Sequence, residues 1–281
     1  MSKIVLNGKE LSKKIEEELK GKVSCLKEKT GRVATLATII VGEDPASQTY
    51  VRMKGNACQR IGINSVKIEL DKNTTTEELL ELIDKLNKDE NVDGILLQHP
   101  VPKHIDERKC FNSIRMDKDV DGVTSSGFGA MSMGEDAFVS ATPFGIMKLL
   151  EYYNIEIEGK KAIVIGRSAI LGKPIAMMLL NKNATVTIAH SKTKDLEKYV
   201  KEADIVVACV GKPKFVKKEW LKDGVVIVDA GYNPANIGDV DLENAISVAS
   251  AYTPVPGGVG PMTIVSLMYQ TVLSFEKRNV K

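Results

Sequence analysis

Apolar positions along the chain alternate between two periods, 3.6 and strand-like. Leu11, Ile15, Leu19, Val23 and Leu26 recur at helical spacing and predict a helix over 8–29. A β-branched run from Val33 to Val41, closed by Gly42, predicts a buried strand, and 45–61 carries one apolar or small-residue face of a second helix. Ile63 to Leu70 alternates as a strand, and Thr74 with Glu77 has the spacing of a capping box before a helix through Leu79, Leu82, Ile83 and Leu86. Val92 to Leu97 is the next buried strand, ending at Gln98 with Pro100 and Pro102 beyond it.

The stretch 117–142 has few periodic apolar residues and many Gly, Ser and Asp, and it is expected to connect two halves and carry functional loops. A second alternating set follows: a helix over 145–153, a strand Lys161–Ile165, a glycine turn and a helix to Leu180. A strand Ala184–Ala189 and a helix near 196–203 come next, then strands over 205–210, 225–229 and 246–249. Such alternation implies largely parallel sheets with helices on their faces. A helix over 263–277 closes the chain. The expected fold class is α/β: two α/β domains flanking a cleft, the second a Rossmann-type parallel sheet that binds a dinucleotide. The expected boundaries are 1–140 plus 263–281 for a catalytic domain and 141–262 for the nucleotide domain.

Composition narrows the function classes. With 281 residues and 39 Lys and Arg against 37 Asp and Glu, the net charge is +2, too balanced for bulk nucleic-acid binding. No apolar run approaches the roughly 18–20 residues that span a bilayer. Polar Asn7 interrupts the opening residues too early for a signal-peptide core. Four scattered cysteines, without a CxxC pair, read as free thiols in a reducing compartment, so a cytoplasmic protein without membrane, nucleic-acid or metal partners is expected.

Several residues could carry chemistry. The turn from Gly166 to Gly172 follows an apolar strand and opens a helix, where backbone can approach a phosphate. The residues leave two readings open, a phosphate cradle or a tight turn without a ligand. The following strand ends in His190-Ser191-Lys192 with no carboxylate before Asp195; with Arg167 this favours NADP over NAD, a solvated basic surface being the alternative. Tyr50 and Lys54 share one helix face, either as a working pair or as an ordinary surface pair. Gln98 stands at the carboxyl end of a strand, where ligands of α/β sheets bind. Asp117, Asp119 and Asp121 lack EF-hand spacing, and one of them is expected to accept hydrogen bonds from a polar ligand. His99 and His104 have no partners at recognisable catalytic spacing, and the proline- and glycine-rich 253–263 segment reads as a pocket wall.

Six motifs in one order make the chain resemble the bifunctional methylenetetrahydrofolate dehydrogenase/cyclohydrolase family almost end to end: Ser47-Gln-Thr-Tyr50-Val-Arg-Met-Lys54, Gly94-Ile-Leu-Leu-Gln98-His-Pro100, Lys118-Asp-Val-Asp121-Gly122, Thr142-Pro-Phe-Gly145, Gly166-Arg-Ser-Ala-Ile-Leu-Gly-Lys-Pro174 and Thr253 to Thr263. The resemblance implies oxidation of 5,10-methylenetetrahydrofolate by NADP⁺ and hydrolysis of the methenyl product to 10-formyltetrahydrofolate. It further implies Lys54 as the catalytic lysine, Gln98 as its tuning partner, Tyr50 stacked on the folate and Asp121 holding the pterin. Gly166, Arg167, Ser168, Ser191 and Tyr232 fall at nucleotide-binding positions, and Pro256, Gly257 and Gly258 at folate-binding ones. A homodimer, with the last helix returning to the N-terminal domain, is also implied. The chemistry agrees: a charged lysine would repel the cationic methenyl group, and lowering a lysine from about 10.4 toward 7 costs about 4.6 kcal/mol, within reach of burial. Gln98 can bond the neutral amine without restoring its proton affinity. The chain departs from the family's usual wording at His99, Val123 to Ser125, Gly127, Ser140-Ala141, Ala189, Tyr232 and Gln270. Retention of only one of the two activities and a non-catalytic nucleotide or folate sensor are the competing readings.

Overall fold

A computed structural model describes residues 3–280. The chain forms two compact units, each assembled from segments distant in sequence: Lys13–Ala141 with Ile264 onward, and the residues before Lys13 with Thr142–Thr263. In chain order the elements are β1 (Ile4–Val5), α1 (Gly8–Thr30), β2 (Thr35–Val41), α2 (Pro45–Ile61), β3 (Asn64–Leu70), α3 (Thr76–Lys88), β4 (Gly94–Leu97), α4 (Glu107–Asn112) and α5 (Ser125–Ser132). Then come α6 (Ala141–Tyr152), β5 (Lys161–Ile165), α7 (Gly172–Leu180), β6 (Thr185–Ala189), α8 (Leu196–Glu202), β7 (Ile205–Ala208), β8 (Val225–Asp229), α9 (Leu242–Ala245), β9 (Ala249–Tyr252) and α10 (Val259–Asn279).

The first of these units holds a parallel three-stranded sheet in the order β3-β2-β4. Central β2 is buried at every position, Thr35 and Thr38 included, as the middle strand of a parallel sheet buried on both faces. Edge strand β3 does not show the expected alternation of burial; its first four residues are all exposed. The capping box of α3 sits one residue later than its sequence pattern suggests: Thr75 accepts from the Glu78 N–H while the Glu78 carboxylate accepts from Thr75. The expected connector contains α5, which the sequence hides because only Gly127 and Met131 along it are buried; Thr124 caps it through the Gly127 N–H. From Ile264 on, α10 contributes Val265, Leu267, Met268, Val272 and Phe275 to the buried set, and its Ser274 hydroxyl donates to the carbonyls of Asp93 and Asp117 at 2.6 Å each.

The other unit is a six-stranded, wholly parallel sheet in the order β1-β9-β8-β7-β5-β6. Its core includes Ile163, Ile165, Val206, Ala208, Val225 and Ile227. From β5 the chain passes to β6 on one side and then to β7 on the other, so the carboxyl ends of β5 and β7 border a topological switch point. Two boundaries differ from the sequence reading. The opening residues pack here, because β1 pairs with β9 through Ile4 and Val5, a partnership some 247 positions apart that local pattern cannot reveal. The last strand is Ala249–Tyr252, since Ile246 and Val248 spend their N–H groups on the carbonyls of Leu242 and Ala245 behind α9.

Candidate active site

Lys54 owes its position to the start of α2. The Asp44 carboxylate accepts from the Ser47 N–H at 2.8 Å and Pro45 occupies the first turn, which fixes the helix register. Four residues apart, Tyr50 and Lys54 then share one face, Tyr50 half-buried and Lys54 only 8% exposed. The Lys54 ammonium nitrogen donates to Gln98 Oε1 at 3.0 Å. Gln98 follows β4, anchored by its own N–H to the Ile39 carbonyl at 2.8 Å, and its Nε2 donates to the His99 carbonyl at 2.7 Å. With both ends of the amide engaged, the oxygen must face the lysine. Burial pushes the Lys54 pKa down, with Asp121 pulling the other way.

Asp121 is delivered to the same region by a short segment lying against β4. The Ile95 N–H bonds the Lys118 carbonyl at 2.9 Å, and the fully buried Lys118 ammonium closes the end of α3 by donating to the carbonyls of Leu86, Asn87 and Asp89. Asp119, also buried, accepts from the N–H groups of Val123 at 3.0 Å and Thr124 at 2.9 Å, folding the chain back after Asp121. Gly122 makes that turn possible: its φ is +63°, and a Cβ there would lie 2.1 Å from the Val139 carbonyl carbon. Gln270 ties the region together, its Nε2 donating to the carbonyls of Val120 and Val139 at 2.8 Å. Burial pushes the Asp121 carboxyl up to about 6, while the nearby Lys54 charge opposes the rise. Of the acidic loop, then, Asp121 is the carboxylate poised beside Lys54, Asp119 is structural, and Asp117 pairs with Arg115. His99 holds Glu107 through Nδ1 at 2.7 Å, and His104 bonds the Thr74 carbonyl. Among the described residues no group of three His, Cys, Asp or Glu is placed to hold a metal ion.

The remaining candidates lie in the other unit, at the carboxyl ends of its parallel strands. Gly166 leaves β5 with φ +135°, and a Cβ there would fall 2.4 Å from the Cys209 carbonyl oxygen after β7. A Cβ at Gly172 would fall 2.4 Å from the Gly166 carbonyl oxygen, so the turn closes on itself only with two glycines. Ser168 Oγ accepts from the N–H groups of Leu171 and Gly172 at 3.2 Å each, and Arg167 and Ser168 stand exposed beside the start of α7. Ser191 and Lys192 are exposed after β6, Tyr232 is 68% exposed after β8, and Asp195 is engaged with Lys198. Pro256, Gly257 and Gly258 follow β9, the loop held by Gly258 N–H to the Pro254 carbonyl and by Lys9 N–H to the Gly257 carbonyl. One unit thus brings together Lys54, Gln98 and Asp121, with Tyr50 on the Lys54 face of α2, and the other carries Gly166, Arg167, Ser168, Ser191, Tyr232 and Pro256 to Gly258, each after a strand of its parallel sheet. Sequence reasoning missed the supports, Lys118 and Asp119; the DKDVDG run drew attention to the right loop, but the direction of each side chain is a tertiary fact.

Comparison with known proteins bears on what these residues do. The family model of the tetrahydrofolate dehydrogenase/cyclohydrolase catalytic domain matches residues 6–121, and that of the family's NAD(P)-binding domain matches 140–279. The chain belongs to the tetrahydrofolate dehydrogenase/cyclohydrolase family. It is 63% identical over 278 residues to the bifunctional protein FolD of Cellvibrio japonicus, covering 99% of both chains. The crystal structure of the bifunctional methylenetetrahydrofolate dehydrogenase/cyclohydrolase FolD from Campylobacter jejuni superposes with a TM-score of 0.97 at 46% identity, covering 99% of this chain and 100% of that one. The Trypanosoma brucei enzyme, solved with NADP cofactor and an inhibitor, gives 0.94 at 36% identity over 99% of each chain. The protein is accordingly a bifunctional dehydrogenase and cyclohydrolase of folate one-carbon metabolism, with NAD(P) as its nucleotide. Among its described residues no helix is long and apolar enough to cross a membrane.

Proposed function

We propose that this enzyme oxidises 5,10-methylenetetrahydrofolate with NADP⁺ and hydrolyses the methenyl product at the same residues, with Lys54 as the general base. The observation that carries the reading is a buried lysine whose hydrogen bond goes to an amide, Gln98, rather than to a carboxylate. Burial lowers the lysine's proton affinity and an uncharged partner does not restore it, which favours the neutral amine that a general base requires. When water adds to the methenyl carbon, Lys54 takes its proton. Returning that proton to the pterin ring nitrogen makes it a leaving group: the carbon–nitrogen bond breaks with its electron pair going to nitrogen, the carbinol hydroxyl gives up its own proton to solvent as the formyl C=O forms, and 10-formyltetrahydrofolate is released with one net proton. Asp121, ionised above about pH 6, accepts the paired N–H donors of the aminopyrimidine edge, and Tyr50 offers its ring to the pterin.

The donor set in the other unit fits a phosphate-bearing dinucleotide. Two glycines that exclude any Cβ, the start of α7 and exposed Arg167 and Ser168 suit the pyrophosphate, with Ser191 beyond β6 and Tyr232 beyond β8 completing the site. Lys192, with no acidic residue closing β6, suits a 2′-phosphate, and the Trypanosoma brucei relative holds NADP. Bound there, the nucleotide supplies a hydride acceptor. Pro256, Gly257 and Gly258 are folate-binding residues on this reading, and 1–140 with 263–281 and 141–262 are the functional divisions, adjusted for β1. We also read the protein as a cytoplasmic homodimer, and sedimentation velocity is expected to give twice the monomer mass at micromolar concentration.

Purified protein given methylenetetrahydrofolate is expected to form methenyl product with NADP⁺ at a kcat/KM at least about tenfold above that with NAD⁺, a difference of about 1.4 kcal/mol. Equal use of the two nucleotides would remove the cofactor assignment. Lys54→Ala is expected to lose about 10²- to 10⁴-fold in cyclohydrolase rate while still binding NADP⁺. Retained hydrolysis in that variant would remove Lys54 as the base.

A further inference from the structure

At the switch point, the segment after β7 faces the Gly166 turn across the carboxyl ends of β5 and β7. Gly166 comes so close to Cys209 that a methyl group could not fit between them. Any ligand on the Gly166 turn therefore has the 209–212 backbone as its opposite wall. What holds that wall is a carboxylate from elsewhere. Asp239, fully buried, accepts from three successive N–H groups: Val210 at 2.6 Å and Gly211 at 2.9 Å on Oδ2, and Lys212 at 2.9 Å on Oδ1. Asn233 Nδ2 adds a fourth donor to Oδ1 at 3.0 Å.

Consecutive backbone N–H groups arranged in this way form an anion-binding concavity of the kind that often receives phosphate. Here the protein fills the concavity with its own carboxylate. The arrangement is built for that occupant. Gly231 lacks a Cβ that would lie 2.3 Å from the Asp239 carboxyl, and the Asp239 N–H is itself held at 2.9 Å by the carboxylate of Asp229 at the end of β8. The three N–H groups are consequently committed to Asp239, and the phosphates are left to the Gly166 side.

We propose that Asp239 is a positioning residue for the nucleotide: by occupying the 210–212 concavity it sets the wall of the crevice opposite the Gly166 turn, and nucleotide affinity depends on it while hydrolysis at Lys54 does not. This rests on the function proposed above only in naming NADP⁺ as the nucleotide. In Asp239→Asn, the carboxamide must turn an NH₂ group toward N–H donors on one side or the other, so the concavity cannot be satisfied.

The test measures NADP⁺ affinity by calorimetry, and separately the hydrolysis of supplied methenyltetrahydrofolate without nucleotide. Asp239→Asn is expected to weaken the NADP⁺ Kd about tenfold or more, as loss of charge-assisted bonds implies, and to leave cyclohydrolase kcat/KM within about twofold. Val225→Ala, a core truncation in the same sheet that does not touch the concavity, serves as control. It is expected to lower the unfolding temperature with the NADP⁺ Kd unchanged. An unchanged Kd in Asp239→Asn, a parallel fall in hydrolysis, or an equal loss of affinity in Val225→Ala would each overturn the proposal. Should Asp239→Asn not fold, Asn233→Ala decides, with a severalfold weaker Kd expected and an unchanged Kd overturning it. Wild-type protein that binds NADP⁺ without reducing it would refute the proposed reaction and leave this inference open to the same Kd comparison.

Discussion

At the scale of single residues, the site is defined by what burial does to charge. Lys54 and Asp121 are each driven toward their neutral forms by burial, and each resists the other's neutralisation. For Asp121 this costs stability at high pH. Its carboxyl rises from 3.8 unfolded to about 6 folded, so the folded state holds more protons across that window, and stability is lost as pH rises through it. Asp121→Asn removes this cost. Its stability gain over wild type is expected to be about 2 kcal/mol larger at pH 7.5 than at pH 4.5, read from urea unfolding at the two pH values. A gain independent of pH would mean that the carboxylate is not paying a burial cost. Loss of folate affinity should accompany the gain, since the same carboxylate is assigned to the pterin.

Secondary-structure elements act here mainly through their ends. Gln98 follows β4, Asp121 follows the segment bonded beside it, and the turns at Gly166, Ser191, Tyr232 and Pro256 all follow parallel strands. Side chains near the next helix terminus make these ends rigid, and Lys118 is the clearest case. Its ammonium donates to three carbonyls around the end of α3, so replacing it with methionine of similar length removes this donor from all three, although the Asn87 carbonyl keeps the Arg115 guanidinium and the Asp89 carbonyl keeps the Val92 N–H. Lys118→Met is expected to lose about 1–3 kcal/mol by thermal or urea unfolding, the packing of the methionine offsetting part of the loss. A raised KM for folate should appear with it, because the Lys118 side chain anchors to the end of α3 the segment that delivers Asp121 three residues later. An unchanged KM would show that the segment is held without it.

For the whole molecule, the decisive property is that neither unit is continuous in sequence. The catalytic unit needs α10 from the far end of the chain, and the nucleotide unit needs β1 from the beginning. A chain ending at Thr263 would keep every residue assigned to catalysis or nucleotide binding. It would lose Val265, Leu267, Met268, Val272 and Phe275, all buried, at roughly 1.5–3 kcal/mol for each fully buried large apolar side chain, a loss comparable to the whole stability of an ordinary domain. Such a truncation is expected to abolish both activities and to leave 13–141 open to rapid proteolysis. Retained cyclohydrolase activity would refute the structural role of α10.

The α/β class, the alternation of elements, the helix face shared by Tyr50 and Lys54 and the glycine turn at Gly166 were all legible in the sequence, because each depends on spacing within one element or one turn. The motifs named the family for the same reason: they are local and ordered. Three kinds of feature needed the tertiary structure. β1 is only two residues long and becomes a strand by pairing with β9, so no periodicity marks it. Helix α5 buries too little apolar surface to leave a stripe. Three aspartates, Asp119, Asp121 and Asp239, look alike in sequence yet do different work, capping a loop, facing a lysine and filling a backbone concavity. A carboxylate's role depends on the donors and charges around it, and those come from segments the chain brings together only on folding.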